Sequence, residues 1–492
     1  MYLYRFFKTT TSLFRPTSYK ILLISLFLIA AVLRLWGLGN FDISPDESHF
    51  IGDAYRFFTG DPYTVPRHHP FRHGVPFVGH PFLAQDLMVI FFKLIGPSVT
   101  AGRLVIAFSN LAALAGAFIL SRMLFGNSVA FLTLLLLVFL PHDVRYARDA
   151  HIDPLLGATL VWAAIFFWKV LTSQRTHWGG WLGITSALVW ASKINGPFLF
   201  LFYGLAVLFI IGKNQAYVWI KEHFKQLLLF VISFTLFFIL LVDPKSYIDA
   251  LINPADPDIS SFTKVFSFFL ENTSIFTKRL VFYLYSIPFA LLVIYGLSIL
   301  LKRHHKEQLF LLSLVIIYGH IFITHAGHSG EYGYVVLNPY FAMLAAISIE
   351  AFRPKLKLIA LIILIIFFIP LLILHGLRID LGGATQLTKF NDSNFRYGQR
   401  PYRDAIKAIN ELPGNPVVLW IKDGDRPVPT MDIRGGVRLW PFFELNSVDT
   451  VLTASVQNKN ELILYKDFKE YREFSYRGTD KVWILRRSDY VQ

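Results

Sequence analysis

Two adjacent carboxylates, Asp46 and Glu47, follow the first long apolar run of the chain, in the stretch Ser44 to Phe50. Charged side chains this close to hydrocarbon need a function or a partner, and carboxylates at the mouth of a membrane cavity can act as a general base or bind a metal ion. His49 is close enough in sequence to join such a site. The pair alone leaves a second interpretation open, a solvated turn that begins at Ser44-Pro45.

A second polar cluster precedes another apolar run and contains Arg148, Asp149 and Asp153. Arginine suits phosphate because its planar guanidinium donates paired hydrogen bonds. The cluster therefore predicts an anion site in which Arg148 is supported by Asp149 or Asp153. A purely structural role, in which Asp153 caps the helix that follows, is the alternative.

Lys193 ends a later apolar run, and a snorkelling side chain that reaches the membrane interface is the alternative to a functional one. Further polar candidates are His80, in a histidine-rich stretch, and His328, Glu331 and Tyr332, which lie between two apolar runs. Their spacing matches no standard zinc signature, so the histidines are interpreted mainly as loop residues.

The composition is that of a polytopic membrane protein. The chain has 492 residues, of which 54% are hydrophobic, and a mean hydropathy of +0.49. Its net charge of +14 comes from short basic runs between apolar segments, which topology explains without nucleic acid as a partner. The chain contains no cysteine, which excludes disulfides, thiolate metal sites and cysteine nucleophiles.

About eleven apolar segments approach the ~20 residues that a bilayer requires. They are residues 21–38, 102–121, 127–144, 153–171, 178–194, 197–212, 225–242, 280–301, 308–325, 334–352 and 356–378. Lys and Arg are concentrated in alternate connections, which predicts a cytoplasmic N-terminus and places the carboxylates, Arg148 and Lys193 on the extracytoplasmic side. The division at Gly196-Pro197 is the weakest, because a kinked single span would fit there too.

The predicted fold is mostly α, with two domains. Residues 1–379 form the membrane domain, whose outer loop 39–97 ends in an amphipathic surface helix from Pro81 to Ile95. Residues 380–492 have the composition of a small extracytoplasmic α/β domain, with a helix from Tyr402 to Leu412 and branched-residue strands after it.

Three motifs resemble those of the protein O-mannosyltransferase family and its aminoarabinose-transferase-like relatives, within the GT-C superfamily of membrane glycosyltransferases. Asp46-Glu47-Ser48-His49-Phe50 is similar to the family's acidic motif after the first span, and Arg148 precedes Asp153 by the family's five residues. The stretch Lys193 to Gly196 is similar to its Lys-x-x-Gly motif, whereas its His-Pro-Pro-Leu-Gly-Lys motif is altered after His80.

The resemblance implies an inverting transferase that takes a sugar from polyprenyl phosphate and gives it to a hydroxyl group of a protein, a lipid or a glycan. It implies that Asp46 is the general base, that Glu47 orients the acceptor or supports Asp46, and that Arg148 and Lys193 meet the charge of the leaving phosphate. Asp153 would anchor Arg148. A divalent cation, Mg or Mn, held by Asp46, Glu47 or His49 would be another way to meet that charge.

Three alternatives stay open. The first is a transporter or flippase for lipid-linked glycans, which would use the same cavity without chemistry. The second is transfer of aminoarabinose to a lipid, and the third is an inactive scaffold whose outer domain binds a partner. In each case the expected location is the plasma membrane, crossed several times, with a reticulum membrane as the alternative.

Overall fold

The computed structural model describes residues 16–39, 47, 50–52, 54–55, 58, 83–193, 196–242, 285–302, 305–319, 331–373, 377, 402–412, 418–420, 437–439, 450–453, 459, 468–476 and 480–487. Within this part the chain is mostly helical. It divides into two compact units. One consists of residues 1–36, 70–84 and 106–385, and the other of residues 37–69, 85–105 and 386–492.

Fourteen of the helices that the structure describes precede the C-terminal sheet region. They are α1 (Pro16–Leu35), α2 (Leu83–Ile95), α3 (Val99–Phe125), α4 (Asn127–Phe139), α5 (Pro141–Ala147), α6 (Asp153–Thr172), α7 (His177–Ser192), α8 (Phe198–Ile210), α9 (Ala216–Glu222), α10 (Phe224–Leu241), α11 (Ile287–Lys302), α12 (Lys306–Tyr318), α13 (Asn338–Ala351) and α14 (Pro354–Leu371). A 3-10 helix, Glu331–Leu337, leads directly into α13.

Each of the eleven predicted segments overlaps one of these helices, and the predicted surface stretch before Ile95 contains α2. By length and composition, five described helical stretches can cross a membrane: α3, α6, α10, residues Gly333–Ala351 and α14. The bent pair α4 and α5, which meet at 62°, would make a sixth. The chain is thus an integral membrane protein by composition and helix length, and the count of eleven spans stays a prediction.

Burial separates central helices from peripheral ones in the first unit. The apolar window of α6 is 72% buried and that of Gly333–Ala351 is 89% buried, whereas α10 and α14 reach only 6% and 17%. Leucine, isoleucine and phenylalanine cover the exposed sides of α10 and α14. A helix that is apolar all round and has an exposed face suits a lipid environment, so the exposed faces of these two helices suit contact with lipid.

Glycines allow the helix backbones to approach closely. A Cβ atom at Gly179 of α7 would lie 2.0 Å from the carbonyl oxygen of Gln226 in α10, and one at Gly296 of α11 would lie 2.1 Å from that of Leu344 in α13. Such contacts are typical of membrane helices, which associate through small residues because lipid offers no hydrophobic driving force. The predicted break at Gly196-Pro197 is present, since α7 ends at Ser192 and α8 begins at Phe198.

In its described residues the C-terminal part has one helix, α15 (Tyr402–Glu411), and five strands: β1 (Val418–Trp420), β2 (Val437–Leu439), β3 (Thr450–Thr453), β4 (Phe468–Tyr476) and β5 (Asp480–Arg487). The strand order is β2-β1-β3-β5-β4, in which β1 runs parallel to β2 and β3, and β5 runs antiparallel to β3 and β4. In the register, Val451 pairs with Leu485 and Glu473 with Trp483. Apolar side chains of α15 and β5 are buried, among them Ile409, Ile484 and Leu485.

Candidate active site

Several predicted site residues cannot be placed. The residues that lie outside the described part are Asp46, His49, His80 and His328. Two more, Glu331 and Tyr332, lie in the 3-10 helix, where only their backbone is described. Five remain that can be examined in full: Glu47, Arg148, Asp149, Asp153 and Lys193. All five are nearly inaccessible, with exposed fractions between 0% and 4%.

Glu47, in the second unit, forms a bidentate ion pair with Arg103 in the first turns of α3. Nε of Arg103 donates to Oε1 at 2.6 Å and Nη2 donates to Oε2 at 2.8 Å, and Nη1 donates to the carbonyl oxygen of Leu38. Both side chains are fully buried. Close packing supports this contact, because a Cβ atom on the neighbouring Gly102 would lie 2.9 Å from Cγ1 of Ile51. The segment that carries the acidic motif is therefore fixed to α3 through Glu47.

Lys193 lies immediately after α7 and forms a buried ion pair with Asp153, the first residue of α6. The distance from Nζ to Oδ1 is 2.7 Å, and the two side chains are 5% and 2% exposed. The snorkelling interpretation of Lys193 is therefore wrong, because its ammonium is held inside the bundle. Asp153 takes the first helical position of α6, directly after Ile152 at the N-cap, and its Oδ1 accepts the hydrogen bond from Lys193.

Arg148 follows α5 and is 2% exposed. Its Nη1 donates to the carbonyl oxygen of Leu33, in α1, at 2.9 Å. Asp153 pairs with Lys193, and the expectation that Asp153 also anchors Arg148 stays a prediction. A backbone carbonyl in α1 holds Arg148, a partner that no sequence spacing could reveal. Asp149, next to it, is buried.

The first unit contains a buried polar network that the sequence did not predict. Arg34 of α1 donates to Oδ2 of Asp143 at 2.7 Å, and the amide nitrogen of Asn338 donates to Oδ1 at 2.9 Å. The amide oxygen of Asn338 in turn accepts a hydrogen bond from Tyr285 and lies 3.1 Å from Nδ1 of His142. A single arginine inside an apolar run was the signal for this network, because such a residue needs a buried partner.

The described residues offer little support for a metal site. Among them no group of three or more His, Asp or Glu side chains is placed to hold an ion. Both oxygens of Glu47 accept hydrogen bonds from Arg103, so its charge is already met by a guanidinium, and Glu47 does not fit as a metal ligand in this arrangement. A divalent cation would have to rest on Asp46 and His49, and no step below depends on it.

The arrangement can bind and stabilise an anion. Two buried cations, Lys193 and Arg148, lie in the same unit, in surroundings that are largely apolar. Charges that are fixed in a medium from which water is excluded act more strongly on a developing negative charge than the same charges in water do.

Residues 79–242 match the sequence model of the dolichyl-phosphate-mannose-protein mannosyltransferase family. No characterised protein in the curated collection of sequences matches the chain at a significant level. Among solved structures, the fold is similar to that of ArnT from Cupriavidus metallidurans in the apo state, with a TM-score of 0.65 at 15% identity over 97% of this chain and 99% of that one.

The same ArnT bound to undecaprenyl phosphate gives a TM-score of 0.63 at 14% identity over 96% of this chain and 98% of that chain. The apo oligosaccharyltransferase of Archaeoglobus fulgidus gives 0.52 at 13% identity over 88% of this chain and 69% of that one. At these identities the likeness is one of fold. The predicted resemblance is thereby confirmed at the level of fold: the chain shares the fold of ArnT and of this oligosaccharyltransferase.

Proposed function

We propose that the chain is an inverting glycosyltransferase that moves a sugar from a polyprenyl-phosphate donor to an acceptor hydroxyl at the extracytoplasmic face of the plasma membrane. The observation that carries the proposal is the match to ArnT over nearly the whole length of both chains. The family match adds to it, because residues 79–242 include Arg148, Asp153 and Lys193. The lipid phosphate bound in one ArnT structure supports the same class of donor.

The proposed topology has about eleven spans, each near the ~20 residues that a bilayer needs, with the N-terminus in the cytoplasm. Residues 1–379 are the membrane domain and residues 380–492 an extracytoplasmic α/β domain. The strands β1 to β5 and helix α15 all fall in the second of these.

The reaction is a single displacement. The acceptor oxygen attacks the anomeric carbon while its proton passes to the carboxylate of Asp46. The bond between that carbon and the phosphate oxygen breaks, polyprenyl phosphate leaves with the electron pair, and the configuration inverts. General-base help of this kind contributes roughly 10²–10⁴-fold.

The buried residues have separate roles in this scheme. Arg148 and Lys193 stabilise the charge that develops on the leaving phosphate. Asp153 pairs with Lys193 when no phosphate is bound, and Glu47, held by Arg103, fixes the position of Asp46. The remaining candidates, His80 for the donor and His49, Asp149, His328, Glu331 and Tyr332 around the substrates, keep the roles that the sequence suggested.

The test uses the full-length protein in proteoliposomes with radiolabelled polyprenyl-phosphate sugars, a hexose and aminoarabinose among them, and with peptide, lipid and glycan acceptors. Transfer to one acceptor should accompany release of polyprenyl phosphate. Asp46→Asn should lower transfer about 10²-fold or more. The exposed carboxylate of Glu222 provides the matched control, Glu222→Gln, which should keep wild-type transfer.

Two results would overturn the proposal. Full transfer by Asp46→Asn would remove the general base. Movement of intact donor across the bilayer, with no polyprenyl phosphate released from any donor, would identify a transporter instead. The acceptor that takes the label decides between modification of a protein or glycan and transfer to a lipid.

A further inference from the structure

Asn338 connects two segments that carry candidate site residues. It is fully buried, begins α13 and directly follows the 3-10 helix Glu331–Leu337. Its amide nitrogen donates to Oδ1 of Asp143, in α5, at 2.9 Å. Its amide oxygen accepts from the hydroxyl group of Tyr285 at 2.5 Å. A carboxylate only accepts hydrogen bonds, so this contact fixes which way the amide points.

The hydrogen bond to Asp143 is the first of a series of contacts that links Asn338 to α1 and to Arg148. Arg34 of α1 donates to Asp143 at 2.7 Å and to the carbonyl oxygen of Leu137 at 2.9 Å. The residue before it, Leu33, accepts the hydrogen bond from Arg148. The same turn of α1 therefore contacts Asp143, near the beginning of α5, and Arg148, just after the end of α5.

The bond to Tyr285 fixes the 3-10 helix. The hydroxyl group of Tyr285 also lies 3.5 Å from the carbonyl oxygen of Tyr334, within that helix. Helix α6 packs on the same element, because a Cβ atom on Gly157 would lie 3.4 Å from Cα of Val336. Gly157 is four residues after Asp153, the partner of Lys193. The 3-10 helix is thereby tied to the segment that bears the ion pair.

We propose that Asn338 is a positioning residue for the transfer reaction, which sets the 3-10 helix and α5 in one fixed arrangement. The inference rests on the proposed function, because the two segments carry Glu331, Tyr332 and Arg148 as site candidates. Two physical points support it. A 3-10 helix has poorer internal hydrogen bonds than an α-helix and depends on anchors at its ends. A buried polar network adds specificity of arrangement more than it adds stability over apolar packing.

Hydrogen–deuterium exchange of the purified full-length protein tests the coupling without any substrate. In Asn338→Ala, exchange in residues 331–337 and 141–148 should rise about tenfold, the equivalent of one lost buried hydrogen bond, while α6 and α7 stay as in wild type. Ser348→Ala is the matched control, since Ser348 is a buried polar residue of the same helix that donates to the carbonyl oxygen of Leu292. It should leave both segments unchanged.

Tyr285→Phe provides a second variant in case Asn338→Ala folds poorly. It keeps the ring and removes only the hydroxyl group, so exchange should rise in residues 331–337 and not in residues 141–148. No change in either variant would overturn the proposal. A uniform rise that includes α6 and α7 would also overturn it, because Asn338 would then act on stability alone.

Transfer assays add a second measurement, the turnover of the folded protein, which would not change if Asn338 contributed only to stability. Asn338→Ala should lower turnover about tenfold at a temperature where its folded fraction equals that of wild type. Asn338→Asp should recover turnover, relative to wild type, as the pH falls, because a protonated acid can donate to Asp143 and accept from Tyr285 as the amide does. The charged and titratable groups that face it are Arg34, Asp143, His142 and Tyr285.

An unchanged turnover in Asn338→Ala, or equal turnover of Asn338→Asp at every pH, would overturn the positioning role. If wild type transfers no sugar from any donor, the proposed function fails instead, and the exchange experiment still decides whether Asn338 couples the two segments.

Discussion

Two buried ion pairs of this protein have nearly the same burial and very different geometry. The pair of Arg103 and Glu47 has two parallel hydrogen bonds, at 2.6 and 2.8 Å, and a third bond from the guanidinium to the carbonyl oxygen of Leu38. In the pair of Lys193 and Asp153, an ammonium group donates from Nζ to Oδ1 at 2.7 Å. Neither pair is more than 5% exposed.

The two geometries suit different roles for the two cations. A guanidinium that matches both oxygens of a carboxylate is rigid and specific, so Arg103 serves to fix the acidic motif. An ammonium is a compact point charge at the end of a flexible stem, and it can exchange one oxygen for another at little geometric cost. We therefore expect Lys193 to turn from Asp153 toward a phosphate, and Arg103 to stay with Glu47.

The largest effect on stability should come from Arg103→Met. It leaves the carboxylate of Glu47 buried without its partner, which costs about 3–5 kcal/mol in the free energy of unfolding. Denaturant unfolding in detergent measures this, and the double variant Arg103→Met/Glu47→Gln should recover part of the loss. A loss no greater than that of Lys193→Met would contradict the distinction between the two pairs.

Lys193→Met should cost less, about 1–3 kcal/mol, because an ammonium meets the carboxylate as a point charge and not as a two-pronged guanidinium. The same unfolding experiment measures it. Lys302→Met, at an exposed position at the end of α11, is the matched control and should be close to wild type.

A third pair, Lys357 with Glu350, extends the comparison to a partly exposed site. Nζ of Lys357 lies 2.8 Å from Oε2 of Glu350, but this carboxylate is 31% exposed. The same oxygen also accepts a hydrogen bond from the hydroxyl group of Ser128. Water screens this pair, so Lys357→Met should cost about 1 kcal/mol or less, and the cost should shrink with added salt. A cost equal to that of Lys193→Met would show that burial does not control these energies.

The smallest effect should be a pH dependence in the C-terminal sheet. Hydrogen bonds from Lys481 and Trp483 lower the pKa of Glu473 below its ordinary value of 4.5. A carboxyl group with a lowered pKa in the folded state contributes stability that is present above the unfolded value and is lost as the pH falls through the folded one. Glu473→Gln should therefore differ from wild type at pH 7 and converge with it below about pH 4.5 in unfolding followed by Trp fluorescence. A difference that persists unchanged into acid would contradict the role of ionisation.

Local patterns in the sequence predicted much of the helical architecture. Apolar length predicted a helix in each of the eleven segments, and Gly196-Pro197 marked a real break between α7 and α8. The site was predictable only as a set of residue types. Arg148 and Lys193 stood out because they are cations at the ends of apolar runs, which is where a membrane protein requires a reason for charge.

The pairing of those residues could not be predicted. Glu47 and Arg103 are 56 positions apart and Arg34 and Asp143 are 109 apart, so only helix packing brings them together. The same limit applies to Asp153 and Lys193, which are 40 positions apart and form an ion pair that the sequence did not predict. An arginine in an apolar run indicates that a buried partner exists, but it does not indicate which residue that partner is.

Binding of polyprenyl phosphate is the sharpest test of the proposed site, because it requires both a phosphate site and a Lys193 that can leave Asp153. The measurement is the Kd of the purified protein for undecaprenyl phosphate in wild type, Lys193→Met, Asp153→Asn and the control Lys302→Met. We expect Lys193→Met to bind at least about tenfold more weakly, the equivalent of ~1.4 kcal/mol. Asp153→Asn should bind more tightly than wild type, because the ammonium no longer has to leave a carboxylate, and Lys302→Met should match wild type. Equal affinities in all four proteins would contradict the account.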